Sequence, residues 1–137
     1  MILIACVDPD NGMSFYGRRQ SRDREVICRI FEDASGSRLW MADSSYPLFS
    51  GLDDGRIQTA EDFLCRAGAG EHCFAEQLEK LPDPARLECV VLYRWDKRYP
   101  ADSRFPADLE ARGWRRIRTE AFPGYSHKTI EKEIYIR

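Results

Sequence analysis

Residues 87–95 have the sequence Leu-Glu-Cys-Val-Val-Leu-Tyr-Arg-Trp, an almost continuous run of apolar side chains. Such a run, with two adjacent valines at its centre, is typical of a β-strand covered on both faces, as strands of parallel sheets are. The amino-terminal stretch Met1-Ile-Leu-Ile-Ala-Cys-Val7 has the same character and leads into the turn cluster Asp8 to Gly12. These stretches predict a central sheet of largely parallel type, covered by other parts of the chain.

Helix-like and strand-like stretches alternate along the first part of the chain. Ser21 is a suitable N-cap for a helix that Gly36 would end, and its apolar positions recur at helical spacing at Val26, Ile27, Ile30, Phe31 and Ala34. The run Leu39-Trp40-Met41 predicts a second buried strand, and shorter strands are predicted at Ile57-Gln58 and Phe63–Ala67. Residues 71–81 predict a helix because Phe74, Leu78 and Leu81 would share one stripe.

The last third of the chain predicts a hairpin. Residues 114–122 and 129–136 are strand-like, and the turn Pro123-Gly124-Tyr125-Ser126 joins them. Residues 43–47 and 50–55 are loop-like, with room for a single helical turn between them, and the order of residues 46–56 is left open. Together these elements predict one α/β domain over residues 1–137, with three layers, a mixed central sheet and a closing antiparallel hairpin.

The turn Gly68-Ala69-Gly70 is the clearest candidate for the floor of a binding site. Between a predicted strand and a predicted helix, two near-adjacent glycines would let a ligand approach the backbone, and free amides at the helix start would favour an anion. The alternative interpretation is a tight strand-to-helix connection without a ligand.

Composition excludes several function classes. The net charge is −2 with a pI near 5.7, which gives no overall electrostatic reason to expect nucleic acid as a partner. No apolar run approaches the length needed to cross a bilayer, and an odd set of five cysteines is most simply explained by a reduced, cytoplasmic protein.

His72 and His127 are the only histidines, so we expect no metal site. A nucleophilic pair of Cys73 with His127 stays open, although packing of Cys73 is the simpler interpretation.

Five stretches in chain order resemble motifs of the dihydrofolate reductase family. They are Ile4–Val7 with the loop to Gly12-Met13, Ser21-Arg22-Asp23, Ser37–Met41, Ala67-Gly68-Ala69-Gly70, and Tyr99–Pro106. The resemblance implies that fold and a site in which Asp23 bonds the pterin and supports its protonation, with burial raising the carboxyl pKa. It further implies that Ser103 holds that carboxylate, and that Gly68, Ala69, Gly70, Ser44 and Ser45 face an NADPH cofactor.

The departures from the family bear on the activity. The segment Ala42-Asp43-Ser44-Ser45 stands where the family has Gly-Arg-x-Thr, and an acid in place of a phosphate-binding arginine reverses the electrostatics. The segment of residues 46–66 is much shorter than the adenosine-binding region that the family has at this point of the chain. Arg18 and Arg19 stand where the family has an apolar pocket wall; they either clamp an anionic ligand or form a solvated loop. Ordinary NADPH binding is therefore not expected.

Two hypotheses follow. In the favoured one, the protein is a binding domain that keeps the fold but has lost NADPH-dependent reduction, and a small molecule or protein segment occupies a cleft between Asp23, Arg18, Arg19, Asp43 and Ser103. In the other, a shortened reductase acts on a small heterocycle with a nicotinamide cofactor or a smaller donor. We also expect Asp23 and the glycine turn to share one hollow. An aspartate in a first helical turn also has a purely structural explanation, since it offsets the helix dipole.

Overall fold

The computed structural model describes residues 1–137 and contains a large sheet and a small one. The strands are β1 (Ile2–Val7), β2 (Gly12–Phe15), β3 (Arg18–Arg19), β4 (Leu39–Met41), β5 (Ile57–Thr59), β6 (His72–Phe74), β7 (Cys89–Arg94), β8 (Ser103–Arg104), β9 (Arg115–Phe122) and β10 (Ile130–Ile136). The helices are α1 (Arg24–Asp33) and the single turn α2 (Phe63–Arg66), with 3-10 segments at Asp43–Leu48 and Glu110–Arg112. None of these helices has the length and apolar character needed to cross a membrane.

The large sheet is mixed, as predicted. Its seven strands lie in the order β5-β4-β6-β1-β7-β10-β9, and β10 runs antiparallel to both of its neighbours. The other pairings within this sheet are parallel. The small sheet, β3-β2-β8, is antiparallel. The predicted strands at 1–7, 39–41 and 87–95 and the closing hairpin are confirmed.

Both faces of the large sheet are covered, which gives the three predicted layers. Alternate residues of β1 point to opposite faces: Leu3, Ala5 and Val7 join one core cluster and Ile4 joins the other. Helix α1 packs Val26, Ile27 and Ile30 on the Ile4 side. Phe63 of α2 and several loop residues cover the opposite side, namely Leu78, Leu87, Phe105, Leu109 and Trp114.

Two neighbouring elements were predicted with their types reversed. Residues 63–66 form the helical turn α2 where a strand was predicted, and His72–Phe74 is a strand inside the predicted helix 71–81. The strand forms because β6 pairs with β1 on one side and β4 on the other, and this pairing overrides local helical spacing. Phe74 and Leu78 therefore enter different core clusters and do not share one stripe.

The start of α1 also differs from the prediction. Asp23, and not Ser21, is the N-cap, with an extended backbone at φ −150° and ψ 128°. Its side chain accepts hydrogen bonds from the amides of Glu25 and Val26, and a carboxylate in this position also offsets the helix dipole.

A buried carboxylate ties β10 to its neighbours. Glu133 is 3% exposed and accepts hydrogen bonds from Arg94 at 2.9 Å, from Arg116 at 3.3 Å and from the hydroxyl of Tyr135 at 3.1 Å. Arg94 also donates to the carbonyl of Asp8 at 2.7 Å, so this pair links the hairpin to the end of β1.

We predict that Glu133→Ala lowers the free energy of unfolding by about 3 kcal/mol, because removing one partner leaves the Arg94 guanidinium without its carboxylate. Arg116→Ala should cost less than about 1 kcal/mol, since Arg116 is half exposed. Urea denaturation of both variants checks this, and equal losses would contradict it.

Candidate functional site

A crevice lies at the carboxyl ends of β1 and β6. The connection from β1 to β4 runs through α1 on one face of the sheet, and the connection from β6 to β7 packs Leu78 and Leu87 on the other face, so the chain leaves these two neighbouring strands toward opposite faces. Ligands of open α/β sheets bind at such a point, outside the carboxyl ends of the strands. Helix α1 begins at this edge, which places Asp23 beside the crevice.

The Asp23 carboxylate links the start of α1 to the connection between β9 and β10. Its Oδ1 accepts from the amide of Tyr125 at 3.0 Å, in addition to the two helix amides. Its Oδ2 accepts from the amide of Ser126 at 2.8 Å, from the Ser126 hydroxyl at 3.1 Å and from Nδ1 of His127 at 2.9 Å. Every oxygen of this buried carboxylate is therefore engaged by the protein itself.

These bonds determine the charge of Asp23. Burial acts to raise its pKa, but the hydrogen bonds from Tyr125, His127 and Ser126 outweigh burial and hold the pKa well below its usual range. The expectation that burial would raise this pKa is therefore wrong. An ionised carboxylate without a proton to give is a poor general acid, so the structure favours a positioning role for Asp23.

Ser103 does not hold the Asp23 carboxylate, contrary to the prediction. It lies on β8, where it is paired with Ser14 of β2 in the small sheet. The hydroxyl that bonds Asp23 belongs to Ser126, because the hairpin connection and not β8 closes over the start of α1.

His127 is buried beside Asp23 and faces two hydroxyls with its other nitrogen. Its Nε2 lies 3.0 Å from Oγ of Ser21 and 3.1 Å from the hydroxyl of Tyr99. The ring stacks on Trp95 with centroids 4.7 Å apart and planes 24° apart. The sequence suggests His127 only as a partner for Cys73, and that pair does not form. Cys73 is buried on β6, its sulfur contacts Met1, and burial raises the pKa of the thiol to about 12.

A polar cleft at this edge has a volume of about 510 Å³ and brings together several of the predicted site residues. Its lining residues are Gly17, Arg18, Arg19, Ala42, Ser44, Ser45, Phe63, Glu76 and Gln77. Arg19 binds Glu76 with two hydrogen bonds of 2.6 and 2.9 Å and donates to the carbonyl of Ser44 at 3.1 Å. Ser45 donates to Glu76 at 2.7 Å. Asp43 is exposed and lies outside this lining.

Glu76 was missed in the sequence because its segment was predicted to be helical. As the second residue after β6, it lies at the carboxyl end of a central strand. It neutralises Arg19, whereas Arg18 forms no ion pair and is exposed at the mouth of the cleft.

A second cleft, of about 590 Å³, lies between α1 and residues 47–52. A narrow space of about 20 Å³ lies between the two clefts, sharing Arg19 and Glu76 with the polar cleft and Arg22, Ile27 and Leu48 with the second one. Ser21 and Trp95 line this narrow space. The three spaces are therefore neighbours along the carboxyl edge, and we refer to them together as the groove.

The glycine turn lies at the opposite edge of the sheet. Gly68, Ala69 and Gly70 precede β6, so the turn leads from a helix into a strand, and no helix start offers its amides there. The amide of Gly68 donates to Glu71 at 2.7 Å and that of Gly70 to Glu88 at 2.8 Å. The expectation that this turn and Asp23 share a hollow is therefore wrong, and the chain's own carboxylates occupy the amides.

The architecture is the dihydrofolate reductase fold, as the motifs in the sequence predicted. One structure with this fold is dihydrofolate reductase from Enterococcus faecalis complexed with NADP(H) and RAB-propyl. It matches with a TM-score of 0.70 and 13% identity over 99% of this chain and 95% of that chain. At this identity the likeness establishes the fold alone. The sequence matches no protein-family model and no curated protein. No group of three or more His, Cys, Asp and Glu side chains converges as a metal site would require.

We predict that Gly124→Ala destabilises the protein by about 2 kcal/mol, because the new methyl group would overpack a closed site. A Cβ at Gly124 would lie 2.7 Å from Oδ2 of Asp23 and 3.0 Å from the carbonyl oxygen of His127. Gly51→Ala is the matched control, since nothing lies within 4 Å of its Cβ. Urea denaturation compares the two, and similar losses would contradict the packing described.

We also predict that Asp23 contributes to the pH dependence of stability. Its pKa is lower in the folded state than in the unfolded chain, so its contribution is present above about pH 4 and is lost as the pH falls toward the folded pKa. Asp23→Asn should cost about 2 kcal/mol at neutral pH, because an amide nitrogen cannot accept from its donors. The variant should also lose less stability than wild type on acidification.

Asp62→Asn is the control for the acid effect, since Asp62 is exposed and pairs only with Arg66. Unfolding free energies measured from neutral to acidic pH give the comparison. If Asp23→Asn and wild type lost equal stability on acidification, Asp23 would not carry the effect.

Proposed function

We propose that the protein is a small-ligand-binding domain on a dihydrofolate reductase-like scaffold, and that it does not carry out standard NADPH-dependent reduction. The shape of the groove at the carboxyl edge favours a small molecule as the ligand and not a protein segment. Its two main clefts are concave and fall within the range of roughly 300–1,000 Å³ that is usual for small-molecule sites.

The single observation that carries the proposal is the state of Asp23. In the reductases that the sequence resembles, a carboxylate at this point of the chain bonds the substrate. Here the Asp23 oxygens are engaged by the helix amides and the hairpin connection, and the carboxyl is held ionised. A substrate would have to displace these bonds to reach it, which argues against the family's proton relay.

Charge supports an anionic ligand. Arg18 at the mouth of the polar cleft and Arg22 on the wall of the second cleft are exposed, and neither pairs with an acidic side chain. Arg19 already has Glu76 as its partner and contributes little net charge. Guanidinium groups bind carboxylates and phosphates with paired hydrogen bonds. We therefore expect a small carboxylate or phosphate compound.

A shortened reductase acting on a small heterocycle is the second candidate. The observation that favours it is the fold, since the Enterococcus faecalis enzyme is complexed with NADP(H). The polar cleft, with Ser44 and Ser45 at the carboxyl end of β4, would then take a nicotinamide cofactor or a smaller donor. Asp43 exposed beside Ser44 weighs against a phosphate there.

A thermal-shift panel tests the proposal with phosphate, citrate, folate, NADP and NADPH as probes. We expect stabilisation by at least one small anion and none by NADPH. A ligand at about 100 times its Kd stabilises the folded state by about 2.7 kcal/mol. Arg18→Gln should weaken that binding about tenfold, which corresponds to about 1.4 kcal/mol.

Arg115→Gln is the matched control, because Arg115 is also exposed and unpaired but lies on the edge strand β9. Stabilisation by NADPH, together with its oxidation in the presence of dihydrofolate, would overturn the proposal in favour of the reductase. Equal effects of the two arginine variants would refute the role given to Arg18.

A further inference from the structure

Ser21, His127 and Asp23 form a directed chain of hydrogen bonds beside the groove. Ser21 Oγ lies 3.0 Å from Nε2 of His127, and Nδ1 of His127 lies 2.9 Å from Oδ2 of Asp23. We propose that Ser21 acts as nucleophile, His127 as general base and Asp23 as the carboxylate that orients His127, and that together they give the protein an acyl-transfer activity on short-chain esters. The inference goes beyond the ligand-binding function proposed above and does not depend on it.

The tautomer of His127 follows from its carboxylate partner. An ionised carboxylate can only accept hydrogen bonds, so Nδ1 carries the proton and Nε2 presents a lone pair. Stacking on Trp95 and burial at 7% exposure hold the ring in this orientation. This is the arrangement that lets imidazole remove a proton from a serine hydroxyl.

Ser21 is placed to react with a molecule in the groove. It is half-buried, immediately follows the small-sheet segment and lines the narrow space between the two clefts. The hydroxyl of Tyr99 lies 3.1 Å from Nε2 of His127 and 3.5 Å from Oγ of Ser21. When Tyr99 donates to Ser21, the lone pair of Nε2 is left to the Ser21 proton, and this is the arrangement that the proposal uses.

Groups that could stabilise an oxyanion lie next to Ser21. The backbone amides of Ser21 and Arg22 donate to no acceptor of the chain, and the Arg22 side chain has no acidic partner. Donors that point at a carbonyl oxygen stabilise the charge that develops on it during acyl transfer. The narrow space of about 20 Å³ holds about one water molecule, so the ester itself would lie in one of the adjoining clefts with its carbonyl carbon next to Ser21.

The reaction balances with water as the only co-reactant. Ser21 Oγ bonds to the carbonyl carbon while its proton passes to Nε2 of His127. The bond from that carbon to the alcohol oxygen then breaks, and His127 returns the proton to the leaving alcohol. In the second half, His127 removes a proton from water, the resulting hydroxide releases the acyl group as a carboxylic acid, and Ser21 regains its proton.

The chain contains a matched comparison in Ser37 and His72. Oγ of Ser37 lies 2.7 Å from Nδ1 of His72, closer than in the first pair. No carboxylate bonds the other nitrogen of His72, and the pair lies at the opposite edge of the sheet. A serine beside an unoriented histidine should be unreactive, so Ser37→Ala serves as the control.

Diisopropyl fluorophosphate labelling of the whole protein tests the proposal, with p-nitrophenyl acetate hydrolysis as a second readout. Both probes are uncharged, so failure to bind anions does not affect the result. We expect one covalent adduct, located on Ser21 by peptide mass spectrometry. Ser21→Ala should abolish it and lower ester hydrolysis at least about 100-fold, with an unchanged melting temperature. Ser37→Ala should label and hydrolyse like wild type.

His127→Gln should also lose labelling while Ser21 remains in place, which separates activation of Ser21 from its mere exposure. Absence of an adduct on Ser21 in the folded wild-type protein would overturn the proposal. Hydrolysis unchanged in Ser21→Ala would overturn it equally, since another group would then perform the reaction.

Discussion

The carboxylate of Asp23 is the constraint on which the functional edge of this protein depends. It caps α1, binds the connection between β9 and β10, and holds the ring of His127. These parts lie about a hundred residues apart in the chain, so one side chain closes a very large loop. Because the group is buried, it is stable there only with its hydrogen bonds formed. The position of His127, and with it the shape of the groove, follows from this arrangement.

The two edges of the sheet differ in whether their hydrogen-bond donors have carboxylate partners within the chain. At the amino edge, Glu71 and Glu88 accept the amides of the glycine turn, and Glu88 also binds the terminal ammonium of Met1 at 2.6 Å. The chain's own carboxylates thus occupy the amides of Gly68 and Gly70, although an open cleft of about 810 Å³ lies beside Gly70. At the carboxyl edge the exposed Arg18 and Arg22 have no acidic partners, which is why we propose the ligand site there.

The sequence predicted the fold well where apolar runs were long. Residues 1–7 and 87–95 are central strands, and their continuous apolar character reflects coverage on both faces. Prediction from the sequence failed at residues 63–74. These short segments carry ambiguous local signals, and the pairing of β6 with β1 and β4 decides the secondary structure there. The partnership of Asp23 with His127 could not be predicted from spacing, because it depends on how the hairpin folds back over α1. One feature of the sequence pointed to this site: His127, one of only two histidines, directly follows the predicted hairpin turn Pro123–Ser126.

We conclude that Asp23 is an ionised structural anchor and not a proton donor. A carbon-13 NMR titration of its carboxyl carbon in the folded protein measures this directly. We expect the chemical shift to stay at the ionised value as the pH falls through the ordinary aspartate pKa of about 3.9. A titration midpoint at or above that value would show that Asp23 is not held ionised.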